Sequence, residues 1–115
     1  MAHDIRAQLR FLSISAQKVR LVIDLVRGKD AMRALEILRF APQAAAQPVS
    51  KLLASAVANA EENFGVSRDD LFVAKIFADE APTRKWRRFG ARGRFKPILR
   101  RSSHVTVILR EHQAA

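Results

Sequence analysis

The apolar residues in the first half of the chain recur at helical spacing. The stretch "AQKVRLVIDLVRG" places valine or isoleucine at positions 19, 22, 23 and 26, which predicts an amphipathic helix. Leu21 and Leu25 widen its predicted apolar side. Ser13 or Ser15 can cap the start of this helix, and Gly28 can end it, because glycine adopts the left-handed backbone common after a helix.

Two further helices are predicted downstream. Asp30 can cap the short stretch "AMRALEILRF", in which Met32, Leu35 and Leu38 are predicted to face inward. In "VSKLLASAVANAEEN" the apolar residues at positions 49, 52, 53, 56, 57 and 60 share one face of a longer helix. Proline lacks a backbone N–H, so Pro48 either kinks this third helix or begins its regular part.

Alternation typical of strands occurs near both ends of the chain. It is loose in "IRAQLRFL" and clear in "LFVAKIFADEAP" and "SSHVTVILR". Gly90 and Gly93 lie between the last two segments, where a turn must fall. These two strands therefore form one hairpin, with arms from about Leu71 to about Arg110. The predicted fold class is α+β: a small antiparallel sheet packed with three helices, plus a long projecting basic β-hairpin.

The predicted hairpin is too long to fit within its own globule. An arm of roughly 15 residues spans about 50 Å, whereas a compact chain of 115 residues has a radius of gyration of only about 13 Å. We therefore predict a single domain over residues 1–115, with an extended hairpin at about 78–104. The distal half of that hairpin projects beyond the globule.

The positive charge of the chain is concentrated in this hairpin. The net charge is +10, and nine of the 21 Lys and Arg residues lie between positions 83 and 101, a segment without Asp or Glu. The rest of the chain is nearly neutral. A two-stranded ribbon that repels itself is only marginally stable in water. Such a ribbon is stabilised when it meets a polyanion and displaces condensed counterions.

The composition indicates a binding protein and gives little support for an enzyme. Cysteine is absent, which removes disulfides and thiolate chemistry and suits a reducing compartment. The three histidines, His3, His104 and His112, have no metal-ligand spacing. No apolar run is long enough for a spanning helix, and the charged N-terminus does not look like a signal peptide. We predict no enzymatic activity, no cofactor, no metal, no membrane partner and no homo-oligomer.

The chemistry of the basic segment favours nucleic acid as the partner. Arginine outnumbers lysine there, and its planar guanidinium can bind phosphate with two hydrogen bonds or stack on bases. Trp86, Phe89 and Phe95 are interleaved with the cations, and exposed aromatic rings beside arginine suit stacking on unpaired bases. The rings could equally pack on each other. Composition alone does not separate RNA from DNA, since architectural DNA-binding proteins also use basic β-arms.

Three blocks of the sequence resemble a known family. They are "SAQKVRLVIDLVRGKDAMRALEIL", "ASAVANAEEN" and "ADEAPTRKWRRFGARGRFKPILRRSSHVTVIL", and in this order they cover the chain from about Ser13 to Leu109. They resemble the bacterial form of large-ribosomal-subunit protein twenty-two. The resemblance implies a structural constituent of the large subunit of the cytoplasmic ribosome that binds 23S ribosomal RNA and assists early subunit assembly. It also implies a hairpin that lines the nascent-peptide exit tunnel, with neighbouring large-subunit proteins as further partners.

The predicted site residues combine the resemblance with the charge and aromatic pattern. The predicted RNA-binding residues are Ser15, Gln17, Lys18, Arg20, Arg84, Lys85, Trp86, Arg87, Arg88, Arg92, Gly93, Arg94, Lys96, Arg100, Arg101, Ser102, Ser103 and His104. The predicted tunnel-facing tip, where the nascent peptide is contacted, comprises Arg88, Phe89, Gly90, Ala91, Arg92 and Gly93.

Three other functional classes compete with the ribosomal interpretation. A free-standing DNA- or RNA-binding regulator is the main alternative, and it predicts tight binding to short duplexes without a ribosome. An enzyme would lose turnover when a carboxylate such as that of Asp79 is removed. A binder of anionic lipid surfaces would need an amphipathic helix, which the period-two spacing and central glycines of the basic segment disfavour.

Overall fold

The architecture was described from a computed structural model, which covers residues 4–82, 84–89 and 95–112; in 84–89 and 95–100 only the backbone is described. The described part contains three α-helices, one 3₁₀ helix and five strands. In chain order they are β1 (Ile5–Leu12), α1 (Ala16–Ile23), α2 (Ala31–Phe40), α3 (Ala46–Phe64), the 3₁₀ helix Arg68–Asp70, β2 (Leu71–Glu80), β3 (Arg84–Phe89), β4 (Phe95–Arg100) and β5 (Ser103–Glu111).

The strands form two antiparallel sheets, and the ladders β2–β5 and β3–β4 follow each other along one hairpin. A three-stranded sheet has the order β1-β5-β2, and β3 pairs with β4 in a second, two-stranded sheet. The backbone N–H of Ala81 donates to the carbonyl oxygen of Ser102 at 3.0 Å, which connects the two ladders. The predicted fold class, with three helices, a small antiparallel sheet and a long hairpin, is confirmed.

The hydrophobic core lies between the helices and one face of the three-stranded sheet. The alternation of "SSHVTVILR" puts Val105, Val107 and Leu109 on one face of the central strand, and they are fully buried there. So are the valine and isoleucine side chains of α1. Leu21 and Leu25 do not widen the core-facing side of α1: they are 63% and 42% exposed. The helix packs on the core through one side only, so its outer side stays open.

The second helix turns a different face inward from the one predicted. Ala31, Ala34 and Leu38 are buried, whereas Met32 is 38% exposed and Leu35 is partly buried. Small alanine side chains let the backbone of α2 approach its neighbours closely, which rotates the larger Met32 toward solvent. The predicted apolar face of α3 is buried at all six positions.

A β-bulge changes which side chains of β2 face the core. Val73 pairs with Leu109 and Lys75 pairs with Ile108, so Ala74 is an extra residue in the ladder. The core-facing residues of β2 have odd numbers before the bulge and even numbers after it, because one inserted residue exchanges the two faces of a strand. The strict alternation predicted for this strand is therefore interrupted, and Phe77 faces outward at 37% exposure.

Local chemistry explains the ends of the helices. Ser15 is the N-cap of α1, and its hydroxyl accepts a hydrogen bond from the Lys18 N–H at 3.4 Å. Pro48 is the third residue of α3, inside the first turn, where a missing N–H removes no helical bond. Gly65 follows α3 with φ of +66°, a conformation that strains other residues and that ends the helix.

The molecule is elongated. Its principal extents are 68 × 25 × 20 Å, and the Cα radius of gyration is 17.4 Å, against about 13 Å for a compact chain of this length. No helix in the described residues is long and apolar enough to cross a membrane.

Candidate nucleic-acid interface

The two-stranded ladder β3–β4 pairs basic residues with basic residues. Arg84 lies opposite Arg100, and Arg88 lies opposite Lys96, in the backbone register. Like charges at directly opposed positions destabilise an antiparallel pair. The ladder therefore carries charge that a polyanionic partner can neutralise. The predicted residues Lys85, Trp86 and Arg87 also lie on β3, with Phe89 at its end.

The first turn of α1 presents hydrogen-bond donors and a cation to solvent. Gln17 and Lys18 are exposed, and this turn contains no acidic residue. The first N–H groups of a helix have no intrahelical acceptor, and the helix dipole places partial positive charge there. This turn is therefore suited to an anionic group such as a phosphate. Ser15 contributes by capping the helix, so its hydroxyl already accepts one bond.

The base of the hairpin meets the segment that leads into α1. The Ser103 hydroxyl is buried and donates to the Ile14 carbonyl oxygen at 2.9 Å. The next residue, His104, accepts a hydrogen bond at Nδ1 from the backbone N–H of Phe11 at 3.0 Å. Two predicted RNA-binding segments, 15–20 and 101–104, are thus neighbours in space although they are far apart in sequence. Arg101 is exposed at this junction, and Ser103 serves the fold.

Two arginines from the α1 region hold the free edge of β2. The Arg20 guanidinium donates to the Ala78 carbonyl oxygen at 2.9 Å, and that of Arg27 donates to the Ile76 carbonyl oxygen at 3.0 Å. Unpaired edge carbonyls would otherwise offer a template for another strand. Arg20 was predicted from the sequence as an RNA-binding residue; its contact with Ala78 gives it a structural role at the root of the hairpin as well.

The remaining predicted site residues lie partly outside the described structure. Arg92, Gly93 and Arg94, together with Gly90 and Ala91 of the predicted tip, lie outside the described residues. Ser102 is partly exposed, and its hydroxyl lies 3.5 Å from the Pro82 carbonyl oxygen.

The sequence interpretation did not include a second basic surface, the face of the three-stranded sheet that no helix covers. We call it the open face. Its exposed cations are Arg6, Arg10 and Lys75, and its exposed aromatic rings belong to Phe11 and Phe77. The loose alternation of "IRAQLRFL" contained part of the signal, because it places Arg6 and Arg10 on the same side of β1. The pairing with β2 was not visible from the sequence.

Phe11 has an unusual backbone conformation on this surface. Its φ is +56°, and its side chain is 60% exposed. A bulky residue in the left-handed region costs on the order of 1–3 kcal/mol. The conformation arises at a register shift between Leu9 and Leu12, and the hydrogen bond to His104 supports it. The Phe11 ring stands edge-on to the His104 ring, with centroids 4.7 Å apart.

One ion pair closes the far end of the open face. Arg110 donates to both carboxylate oxygens of Asp4, with the shorter contact at 2.6 Å. This hydrogen bond, aided by the opposite charge, holds the pKa of the Asp4 carboxyl below its ordinary value. The same bond raises the pKa of Arg110. The two charges cancel, so the charge available to a ligand comes from the other cations of the surface.

The described residues contain no cluster of three or more His, Asp or Glu side chains that could hold a metal ion. Two clefts flank α2, and both are lined by charged and apolar side chains. One of them is formed by residues that include Arg33, Arg39, Arg68 and Asp69. Neither cleft includes a residue of the first turn of α1 or of the base of the hairpin at 101–104.

A basic ribbon rooted in a small α+β fold, beside a cationic helix start, suits a protein that binds nucleic acid. Comparisons with known proteins agree with this class. The sequence model described as "Ribosomal protein L22p/L17e" matches residues 7–110. The large ribosomal subunit protein uL22 of Pediococcus pentosaceus is 47% identical over 108 residues, which cover 94% of this chain and 92% of that protein. The chain belongs to the ribosomal protein L22p/L17e family.

Membership of this family confirms the resemblance and the localisation predicted from the sequence. The chain is a structural component of the large subunit of the cytoplasmic ribosome, with ribosomal RNA and ribosomal proteins as its partners. The family is structural and not enzymatic.

Proposed function

We propose that the chain binds 23S ribosomal RNA as a single domain, residues 1–115, through the hairpin at about 78–104 and the first turn of α1. The contact between Ser103 and Ile14 carries the proposal, because it joins these two segments at one end of the sheet. A single RNA region can then reach both segments at once. The opposed basic residues of β3 and β4 supply the charge that such a partner neutralises.

The proposed mechanism is scaffolding during early subunit assembly. RNA segments repel each other through their phosphates, and arginine and lysine side chains along both arms reduce this repulsion. The hairpin is anchored at its root by the Arg20 bond to Ala78 and by the Ala81 bond to Ser102. An anchored ribbon fixes the relative position of the RNA segments that it contacts, so it directs their folding as well as neutralising their charge.

We further propose that the hairpin tip lines the nascent-peptide exit tunnel. The molecule is 68 Å long, so a protein seated at the subunit surface can extend far into the RNA. The tip residues assigned from the sequence, Arg88 to Gly93, would contact the nascent peptide. The large-subunit relative and the resemblance to protein twenty-two support this assignment.

The salt dependence of binding to transcribed 23S RNA tests the hairpin. We expect that replacing Arg84, Arg87 and Arg88 by glutamine weakens binding and reduces the slope of log K against log salt by about two to three units, roughly one for each lost phosphate contact. The matched control replaces three arginines near α2, at positions 33, 39 and 68, by glutamine. The control has the same net charge and should keep most of the wild-type slope.

Equal slopes for the two triple variants would show that binding depends on total charge, and the hairpin would lose its assigned role. Co-sedimentation in a high-salt gradient separates the ribosomal function from that of a free-standing regulator. The wild-type chain should remain with the large subunit. A chain that instead runs free, and binds short duplexes tightly, supports the regulator.

A further inference from the structure

We propose that the open face of the three-stranded sheet is a second RNA-binding surface, which takes a single-stranded segment with unpaired bases. The inference rests on the proposed function, since it assumes an RNA partner. It adds a site on the opposite side of the sheet from the helices, built from residues outside the hairpin and outside α1. These residues are Arg6, Arg10, Phe11, Lys75 and Phe77.

The strand register brings these residues together in rows across the sheet. Arg6 and Lys75 both pair with Ile108, and Phe77 pairs with Thr106 in the next row. Residues directly opposite each other in an antiparallel sheet share a face. The outer strands are about 10 Å apart across the central one. Cations from both outer strands and the Phe77 ring of β2 therefore lie on one surface. The width of this surface is comparable with that of a nucleotide.

The charge of the open face matches an RNA segment better than a protein surface of mixed charge. Arg6 and Lys75 make no ion pair with any residue in the described ranges, and Arg10 contacts only the neutral Gln8 amide there. The uncompensated carboxylate on this face is that of Asp79, which pairs with His104 in the register. Lys75 also interacts electrostatically with Asp4, whose carboxylate Arg110 already binds. With that ion pair included, the open face carries four cations against two carboxylates, and this excess of positive charge favours phosphate.

Two exposed aromatic rings supply the means to hold bases. Phe11 is 60% exposed and Phe77 is 37% exposed. Sheets that bind single-stranded RNA stack unpaired bases on such rings beside basic side chains. Phe11 is also fixed in place: its N–H bonds to His104 and its ring packs edge-on against the imidazole. A ring that is held open to solvent at the cost of a strained backbone is suited to a ligand, because bulges often aim a side chain at a binding site.

The test measures binding of the full chain to a fluorescent, 4-thiouridine-containing oligouridylate of about 12 nucleotides, a length in the usual range for such surfaces. The variants are Phe11→Asn and Phe77→Ser. Asparagine tolerates the left-handed backbone and keeps the N–H that bonds His104, so folding is retained. The matched control is Phe40→Ser, an aromatic residue 76% exposed on α2. We expect each open-face variant to bind about five-fold more weakly or worse, and the control to bind as wild type.

Photocrosslinking of the same probe gives the position of binding directly. Crosslinked nucleotides are expected on the peptides of β1 and β2 that carry Phe11 and Phe77. Wild-type affinity in both open-face variants, with crosslinks only on hairpin peptides, overturns the open face and leaves the proposed function intact. Wild-type affinity in these variants and also in the hairpin triple variant contradicts both the open-face inference and the proposed function. Crosslinking of the chain within purified large subunits is a separate check. If the open face crosslinks there to another protein and not to RNA, it is a protein contact and the inference is overturned.

Discussion

Thr106 is fully buried in the central strand, and its hydroxyl has no hydrogen-bond partner among the described residues. A buried polar group without a partner loses its hydrogen bonds to water and gains none in the protein, so it destabilises the fold. We expect Thr106→Val to stabilise the fold by about 1 kcal/mol, which corresponds to a rise of about 4 °C in the melting temperature. Thermal unfolding followed by circular dichroism measures this shift.

The matched variant Thr106→Ser keeps the hydroxyl and removes the methyl group. It should therefore melt below the wild type, because a packed apolar group is lost while the unpaired polar group remains. A valine variant that melts lower than the wild type would mean that the hydroxyl has a partner in solution, and the account of this position would be wrong.

At the scale of elements, the edge of β2 that does not pair with β5 is bound by Arg20 of α1 and by Arg27, which follows α1. Arg27 donates to the Ile76 carbonyl and pairs with Asp24, whereas Arg33 on α2 pairs with Glu36 and makes no hydrogen bond to a strand in the described part of the chain. We expect Arg27→Met to lower the free energy of unfolding by about 1–2 kcal/mol. Arg33→Met should change it by less than about 1 kcal/mol, as for exposed ion pairs generally.

Urea denaturation of the two variants measures their free energies of unfolding, and hydrogen exchange measures the protection of individual amides. Only the Arg27 variant should lose protection at amides of β2. Equal destabilisation by both substitutions would show that the ion pairs matter and that the strand carbonyl does not.

The elements also show how far the sequence could predict this fold. The buried face of α3 and the core face of β5 were predicted at each position, because a long or central element repeats its pattern many times. The exposure of Leu21 and Leu25 was not predicted, since it depends on where neighbouring elements stop. The bulge at Ala74 was missed for a related reason: it exists only in the pairing with β5.

The two basic surfaces also differ in whether they could be predicted from the sequence. The hairpin was found because its charges are contiguous in sequence. The open face was missed because its cations come from β1 and β2, which lie on opposite sides of β5 and about 65 residues apart along the chain.

At the scale of the whole molecule, the core and the hairpin ladder are separable. The hydrophobic core described above is formed by the helices and the three-stranded sheet, and β3 and β4 pair with each other in a separate sheet. We expect a chain in which an Asn-Gly turn replaces 83–101 to unfold cooperatively, with a melting temperature within a few degrees of the wild type. Its radius of gyration should fall from 17.4 Å to about 12–13 Å by small-angle X-ray scattering.

The hairpin triple variant is the control for this shortened chain, since it loses charge but not length and should keep a large radius of gyration. Loss of cooperative unfolding in the shortened chain would contradict the separation of core and ladder, and would mean that the hairpin takes part in holding the domain together.

The bond between Ala81 and Ser102 has a mechanical consequence. It lies where the three-stranded sheet passes into the two-stranded ladder, three residues beyond the Ala78 carbonyl to which Arg20 donates. The six residues of β3 extend about 20 Å from this point. A rotation of about 10° there displaces the far end of β3 by about 3 Å over that length. A small rotation at the edge of the domain is thus amplified along the hairpin. The stiffness of a few backbone contacts at this edge therefore determines how accurately the far end of β3 is positioned.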